Sequence, residues 1–211
     1  MKNLLNRLKS VSLAQWLALA LVILGLGVMI YKARGMLEFY KEVQYASQHD
    51  FAAGNLSPDL IRPWMSLRYV AAAFAVPQQY LYQAANIQPK KETSMIAINR
   101  LNSQMDLGKV DGQPALMQTL RAAILAYRAN PVATGLLEKQ VENWMTMQYV
   151  ANSCAISVES LFEGLNLPAQ GNAYKPLNFL ATETDYSGGP KALLANIQKI
   201  VDERCVKPAV P

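Results

Sequence analysis

WMSLRYVAAAFAVPQQYLYQAANI, residues 64–87, returns as WMTMQYVANSCAISVESLFEGLNL, residues 144–167, without a gap and 80 positions on. Eight of the 24 positions are identical, and six more are close exchanges, Ser66/Thr146 and Tyr82/Phe162 among them. A self-match at fixed spacing means one supersecondary unit used twice, so its reading decides the fold. Leu67, Val70, Ala71 and Phe74 recur at i, i+3, i+4 and i+7, the apolar stripe of a helix. Ser66 stands before that stripe as an N-cap, and Thr146 before its copy. Ala75-Val76-Pro77 and Ala155-Ile156-Ser157 supply a short turn. Pro77 and Ser157 then start a second helix, which Asn86 or Asn166 ends in the left-handed region.

Two helices this short bury too little surface to stand alone. The flanks provide a third helix for each: Pro114-ALMQTLRAAILAYRA after the first copy, and Pro190-KALLANIQKIVDER after the second. In both, Pro opens the helix just after Gly. The expectation is an all-α chain with two tandem three-helix, helix-turn-helix-like units over 57–129 and 137–205, joined at Asn130-Pro131.

Upstream, residues 10–31 are 22 positions without a charge. About 20 apolar residues cross a bilayer core of roughly 30 Å. This run, with Trp16 and Tyr31 at its edges, predicts a transmembrane helix over 10–32. Residues 1–9 are then a cytoplasmic tail, 33–56 a juxtamembrane helix and linker, and 206–211 a disordered tail. The location this implies is single-pass in a bacterial inner membrane, with the bulk of the chain outside the cytoplasm.

Charge separates the two copies. Residues 57–130 carry a net +4 and residues 137–205 a net −3, within a chain total of +5. A shared nucleic-acid groove would need one sign throughout and a second helix rich in donors. Copy two instead carries Glu159 and Glu163 there. A chain with one histidine, His49, and two cysteines without metal-type spacing offers no zinc, haem or Cys-His chemistry. Asp106, Asp111, Glu183 and Asp185 have no paired context, and Ser153-Cys154 has no base nearby in sequence. No catalytic residue, cofactor or metal is expected. The candidate interaction residues are Trp64, Arg62, Arg68 and Trp144, the tryptophans because that residue type is enriched in binding hot spots. Cys154 replaces Phe74 on the core stripe as a buried thiol; a Cys154–Cys205 disulfide is the open alternative, since Cys205 ends the third helix.

Copy two resembles a short helical module appended to bacterial membrane proteins of the DUF4405 and ferredoxin-type groups. The match runs through Met145-Thr146-Met147, Val150-Ala151, Ile156, Leu161, Leu165, Leu167-Pro168 and Pro176-Leu177-Asn178-Phe179-Leu180. The module's turn Gly is Ala75 or Ala155 here, and its Pro is kept as Pro77. The resemblance implies a membrane-associated accessory part without a defined reaction. A weaker similarity to the LysM fold implies peptidoglycan binding, although no Gly-Asp-Thr strand start precedes either copy. The expected function is therefore a membrane-anchored, non-catalytic scaffold whose partners are the lipid bilayer and another membrane or envelope protein. Small-molecule substrates and nucleic acid are not expected partners. An envelope glycan-binding module is the alternative, and a membrane-tethered DNA-binding regulator comes third.

Overall fold

Ser66 Oγ accepts the Tyr69 amide at 3.2 Å, and Thr146 Oγ1 accepts the Tyr149 amide at 3.1 Å. Each bond satisfies an amide that has no partner inside its own helix. These caps start α1 (Leu67–Phe74) and its copy α6 (Met147–Cys154). Both helices stop on an alanine in the left-handed region, Ala75 at φ 51° and Ala155 at φ 54°. Val76 N then reaches back to Ala71 O at 3.0 Å, and Ile156 N to Ala151 O at 3.1 Å. The turn launches α2 (Gln78–Ala84) and α7 (Val158–Gly164). Asn86 and Asn166 close those helices at φ 52° and 55°.

The computed structural model describes residues 21–27, 29, 49, 54 and 56–205. The chain divides into units Met1–Asp50 and Phe51–Pro211, and both copies lie in the second. Between α2 and the long helix of copy one come α3 (Lys91–Ser94), α4 (Ile98–Gln104), β1 (Lys109–Val110) and β2 (Gln113–Pro114). The long helix is α5 (Ala115–Ala129). Copy two continues after α7 with α8 (Leu177–Glu183) and the long α9 (Gly189–Arg204).

Two features correct the expected fold. The units are not three-helix units, because α4 and α8 are equivalent extra helices. Ile98 N donates to Met65 O, and Leu177 N to Met145 O, each at 2.8 Å. Isolated bridges pair Ser66 with Ala97 and Thr146 with Pro176. Nor is the chain purely α. β1 and β2 form an antiparallel ribbon, with Val110 opposite Gln113. Asp111 and Gly112 between them have φ of 50° and 76°, as a two-residue type I′ turn requires. Buried Asn102 holds this insertion: its Nδ2 donates to Gly108 O at 2.8 Å, and its Oδ1 accepts the first-turn Leu116 amide at 2.9 Å. Ala181 stands at the matching place in α8, where no ribbon follows.

The expected transmembrane helix is also corrected. Among the described residues, no helix is long and apolar enough to cross a membrane. Of the span 10–32 only 21–27 and Met29 are described, as helix. The single-pass assignment, the inner-membrane location and the outward placement of the bulk domain are withdrawn with it. The expected tail 1–9, the juxtamembrane helix 33–48 and the tail 206–211 lie outside the described residues.

The core of the second unit is the sum of the apolar stripes. Leu67, Val70, Leu81, Ile98, Leu116, Leu120 and Ile124 are fully buried in copy one, as are Met147, Val150, Leu161, Leu177, Leu193 and Ile197 in copy two. Full burial of one such side chain contributes about 1.5–3 kcal/mol. That is what holds helices of seven or eight residues, which are too short to persist by propensity.

The left-handed alanines carry a Cβ penalty that glycine lacks. Ala155 is exposed, so its methyl has little packing to lose. Ala155→Gly is expected to stabilise the chain by up to about 1 kcal/mol, raising Tm by about 2–4 °C for a chain of this size. Thermal unfolding followed by circular dichroism checks it, and a lower Tm would show that the strain is not there.

Candidate functional site

The residues singled out by chemistry converge on the seam where α1 meets α6. The Arg68 guanidinium lies 5.6 Å from the centroid of the Trp144 ring, a cation–π contact from copy one to copy two. At half-buried positions such a contact is worth about 0.5–2 kcal/mol. About two turns further along, Asn152 Nδ2 donates to Ala75 O at 2.6 Å, and Asn152 Oδ1 accepts Gln148 Nε2 at 2.8 Å. Ala75 O belongs to the end of α1, where carbonyls have no partner within the helix. Copy two therefore completes the C-terminus of α1.

Arg62 turns to its own backbone, donating to Asp59 O at 2.6 Å and Ile61 O at 3.1 Å. Its counterpart Glu142 accepts the Trp144 indole N–H at 2.8 Å. The two tryptophans keep the same local packing, Trp64 on Tyr69 with centroids 5.4 Å apart and Trp144 on Tyr149 at 5.2 Å. Trp64 remains 36% exposed. Of the four candidate interaction residues, the seam thus joins Arg68 and Trp144, while Arg62 and Trp64 sit on the outer turn of copy one.

Behind the cation–π contact lies a buried polar group that the sequence reading did not single out: Gln78, Tyr82, Tyr149 and Ser153, with the Glu138 carboxylate bearing on both tyrosines. Burial, and then the Glu138 charge, push the Tyr82 hydroxyl up to about 12 and the Tyr149 hydroxyl further still. Tyr127, stacked edge-on against Tyr80 at 5.2 Å, is pushed up to about 12 by burial and by Tyr80. A signal for this cluster was available. Ala72 and Ala73 of copy one become Asn152 and Ser153, polar residues on a helix face that the first copy keeps as alanine.

Cys154 and Cys205 are bonded, tying the end of α6 to the residue that closes α9. Copy one closes the same place differently. Phe74, the counterpart of Cys154, lies under the Arg128 guanidinium at 5.9 Å. Aligning the buried rows Leu116, Leu120, Ile124 and Leu193, Ile197, Val201 puts Arg128 where Cys205 stands. One position is thus clasped by a cation over a ring in copy one and by a covalent bond in copy two.

Elsewhere the chemistry is structural. A shallow open depression is lined by Lys139, Val141, Leu194, Gln198 and Asp202. Its polar centre, Gln198, accepts the Val141 amide at 2.7 Å and donates to Asp202 at 2.7 Å. Among the described residues, no group of three or more His, Cys, Asp or Glu side chains could hold a metal ion.

Reduction of the disulfide opens a loop spanning a sequence separation of 51. Loop entropy makes that bond worth about 4 kcal/mol. Denaturant unfolding with and without a dithiol reductant should differ by about that amount, with Cys205→Ala reproducing the reduced curve. The tyrosines give a separate signature. A hydroxyl whose folded pKa is raised contributes stability that is complete below the unfolded value near 10 and lost as pH climbs through the folded value. Stability should therefore hold to about pH 10 and fall between about 10 and 12, in step with the ultraviolet titration of Tyr82 and Tyr127. Tyr127→Phe should flatten that decline.

In comparisons with known proteins, no family model, no curated protein and no solved structure matches this chain.

Proposed function

We propose that this chain is a non-catalytic protein-interaction scaffold, in which two copies of one helical unit present surfaces of opposite charge. The observation that carries this reading is the divergence of exposed residues at equivalent positions. Gln79 and Gln83 of α2 become Glu159 and Glu163 of α7, both exposed and one helical turn apart. Both copies expose charges of each sign. Asp59, Glu92, Asp106 and Asp111 are exposed beside Lys90, Arg100, Lys109 and Arg128 in copy one, and Lys139, Lys191, Lys199 and Arg204 beside six acids in copy two. The opposition is therefore one of net charge, +4 over 57–130 against −3 over 137–205. The Arg121–Asp59 and Lys175–Glu183 ion pairs each lie within one copy, so they leave that opposition in place. Charge arranged this way guides an oriented encounter and rejects wrong partners more than it adds raw affinity. The exposed glutamates of α7 would repel a phosphate backbone, which argues against a nucleic-acid groove running across both copies.

The full chain, crosslinked in its cells of origin and purified, is expected to carry a stoichiometric protein partner or a second copy of itself. That association should weaken as ionic strength rises past about 0.1 M, where the screening length is about 10 Å. Glu159→Lys with Glu163→Lys should weaken it by about tenfold or more, with the circular dichroism spectrum unchanged. A partner-free monomer at both low and high salt would overturn the scaffold reading.

A further inference from the structure

Four buried side-chain atoms beside the seam lack a partner at hydrogen-bonding geometry, although the Gln78 side chain lies close enough to the Tyr82 hydroxyl to act on it. Gln78, the first residue of α2, is 1% exposed, and neither its Nε2 nor its Oε1 has such a partner. Tyr149 and Ser153 are fully buried one turn apart on α6, and neither the Tyr149 OH nor the Ser153 Oγ has one. The backbone brings these groups together. Asn152 Nδ2 bonds to Ala75 O, three residues ahead of Gln78. The Tyr149 hydroxyl lies close enough to the Gln78 backbone and the Ser153 hydroxyl for both to act on it, though neither meets hydrogen-bond geometry. The fold does not demand polarity at two of these three positions, although Tyr149 keeps a tyrosine as its counterpart, Tyr69. Gln78 corresponds to Val158, and Ser153 to Ala73, in the opposite copies.

Buried side-chain groups of this kind are almost always satisfied, because each forfeits its hydration on folding. We propose that the seam is a binding site for ordered water, in which one or two molecules bridge the Gln78 amide of copy one to the Tyr149 and Ser153 hydroxyls of copy two. Water fits the chemistry of the set. The amide offers donors and an acceptor, and each hydroxyl offers both, which meets the roughly three bonds a buried water makes. An anion does not fit, since the Glu138 carboxylate already bears on the Tyr149 hydroxyl. Bridged in this way, the copies have one favourable register, because sliding α2 along α6 breaks the shared bonds.

The sign of a stability change tests this. Tyr149→Phe and Ser153→Ala remove one hydroxyl each and leave the packing in place. With a shared water, each should lower Tm by about 2–4 °C, and the double variant should lose less than the sum. If the hydroxyls are dry, deleting them leaves Tm unchanged or raises it, and the proposal fails. A crystal structure of the full chain at water-resolving resolution gives a readout independent of any variant. A water within about 3.2 Å of the Gln78 side chain and of one of the two hydroxyls supports the site. Direct side-chain contacts with no water between them overturn it.

Discussion

The hydrogen bond from Ile98 N to Met65 O, repeated from Leu177 N to Met145 O, ties the head of each copy to a helix about thirty residues later. Without it, α1 and α6 would be eight-residue helices with a cap and one apolar stripe, well below the length at which an isolated helix persists in water. The bond also sets the N-cap residue of α1 or α6 against the residue preceding α4 or α8, through the Ser66–Ala97 and Thr146–Pro176 bridges. Once that pairing is made, the long helices α5 and α9 have a surface to cover. The buried methionines contribute to the same corner: the Met65 and Met145 sulfurs each accept a backbone amide from three residues upstream, at 3.4 Å.

On this common frame, each copy is finished by a different kind of contact. Copy one inserts a ribbon, held by Asn102, and clasps its helix ends through Arg128 over Phe74. Copy two omits the ribbon and uses a disulfide at the matching clasp. The seam between them is asymmetric too. Arg68 and Ala75 O from one side meet Trp144 and Asn152 from the other, and the matching positions Gln148 and Ala72 carry neither a cation nor an amide in those roles. A one-sided contact of this kind could add further units if every unit carried both faces, but Arg68 and Asn152 each occur in one copy alone. This one pairs once.

Much of this was legible in the sequence, where the signal is local. The Ser66 and Thr146 caps, the helix breaks at Ala75 and Ala155, the left-handed Asn86 and Asn166, and the long helices opened by Pro all follow from residue type and spacing. The extra helices α4 and α8 were hidden by a single residue. The stretch from α7 to α8 is one residue shorter than the stretch from α2 to α4, which also contains α3, so Ile98 aligns with Leu177 only after a gap, and the gapless match stops short of both. The seam was harder to read, because it depends on pairs far apart in the chain. Arg68 and Trp144 were picked out singly, for charge and aromaticity, and nothing in their spacing placed one on the other. The uncharged N-terminal run was the strongest compositional signal, and it led to the membrane assignment that the described helices do not bear out.

The disulfide encloses more than it joins. Residues 154–205 form a covalent ring that contains α7, α8 and α9, while α6 enters it only at its last residue and the whole of copy one lies outside. Tension applied to the two ends of the chain would run through copy one, cross at the cysteines and leave the ring slack. At about 3.4 Å per extended residue, roughly 170 Å of contour is withheld from any pull. The two copies therefore differ mechanically as well as electrically: the first can be drawn out under load, and the second keeps its length in reserve for as long as its cysteines stay oxidised.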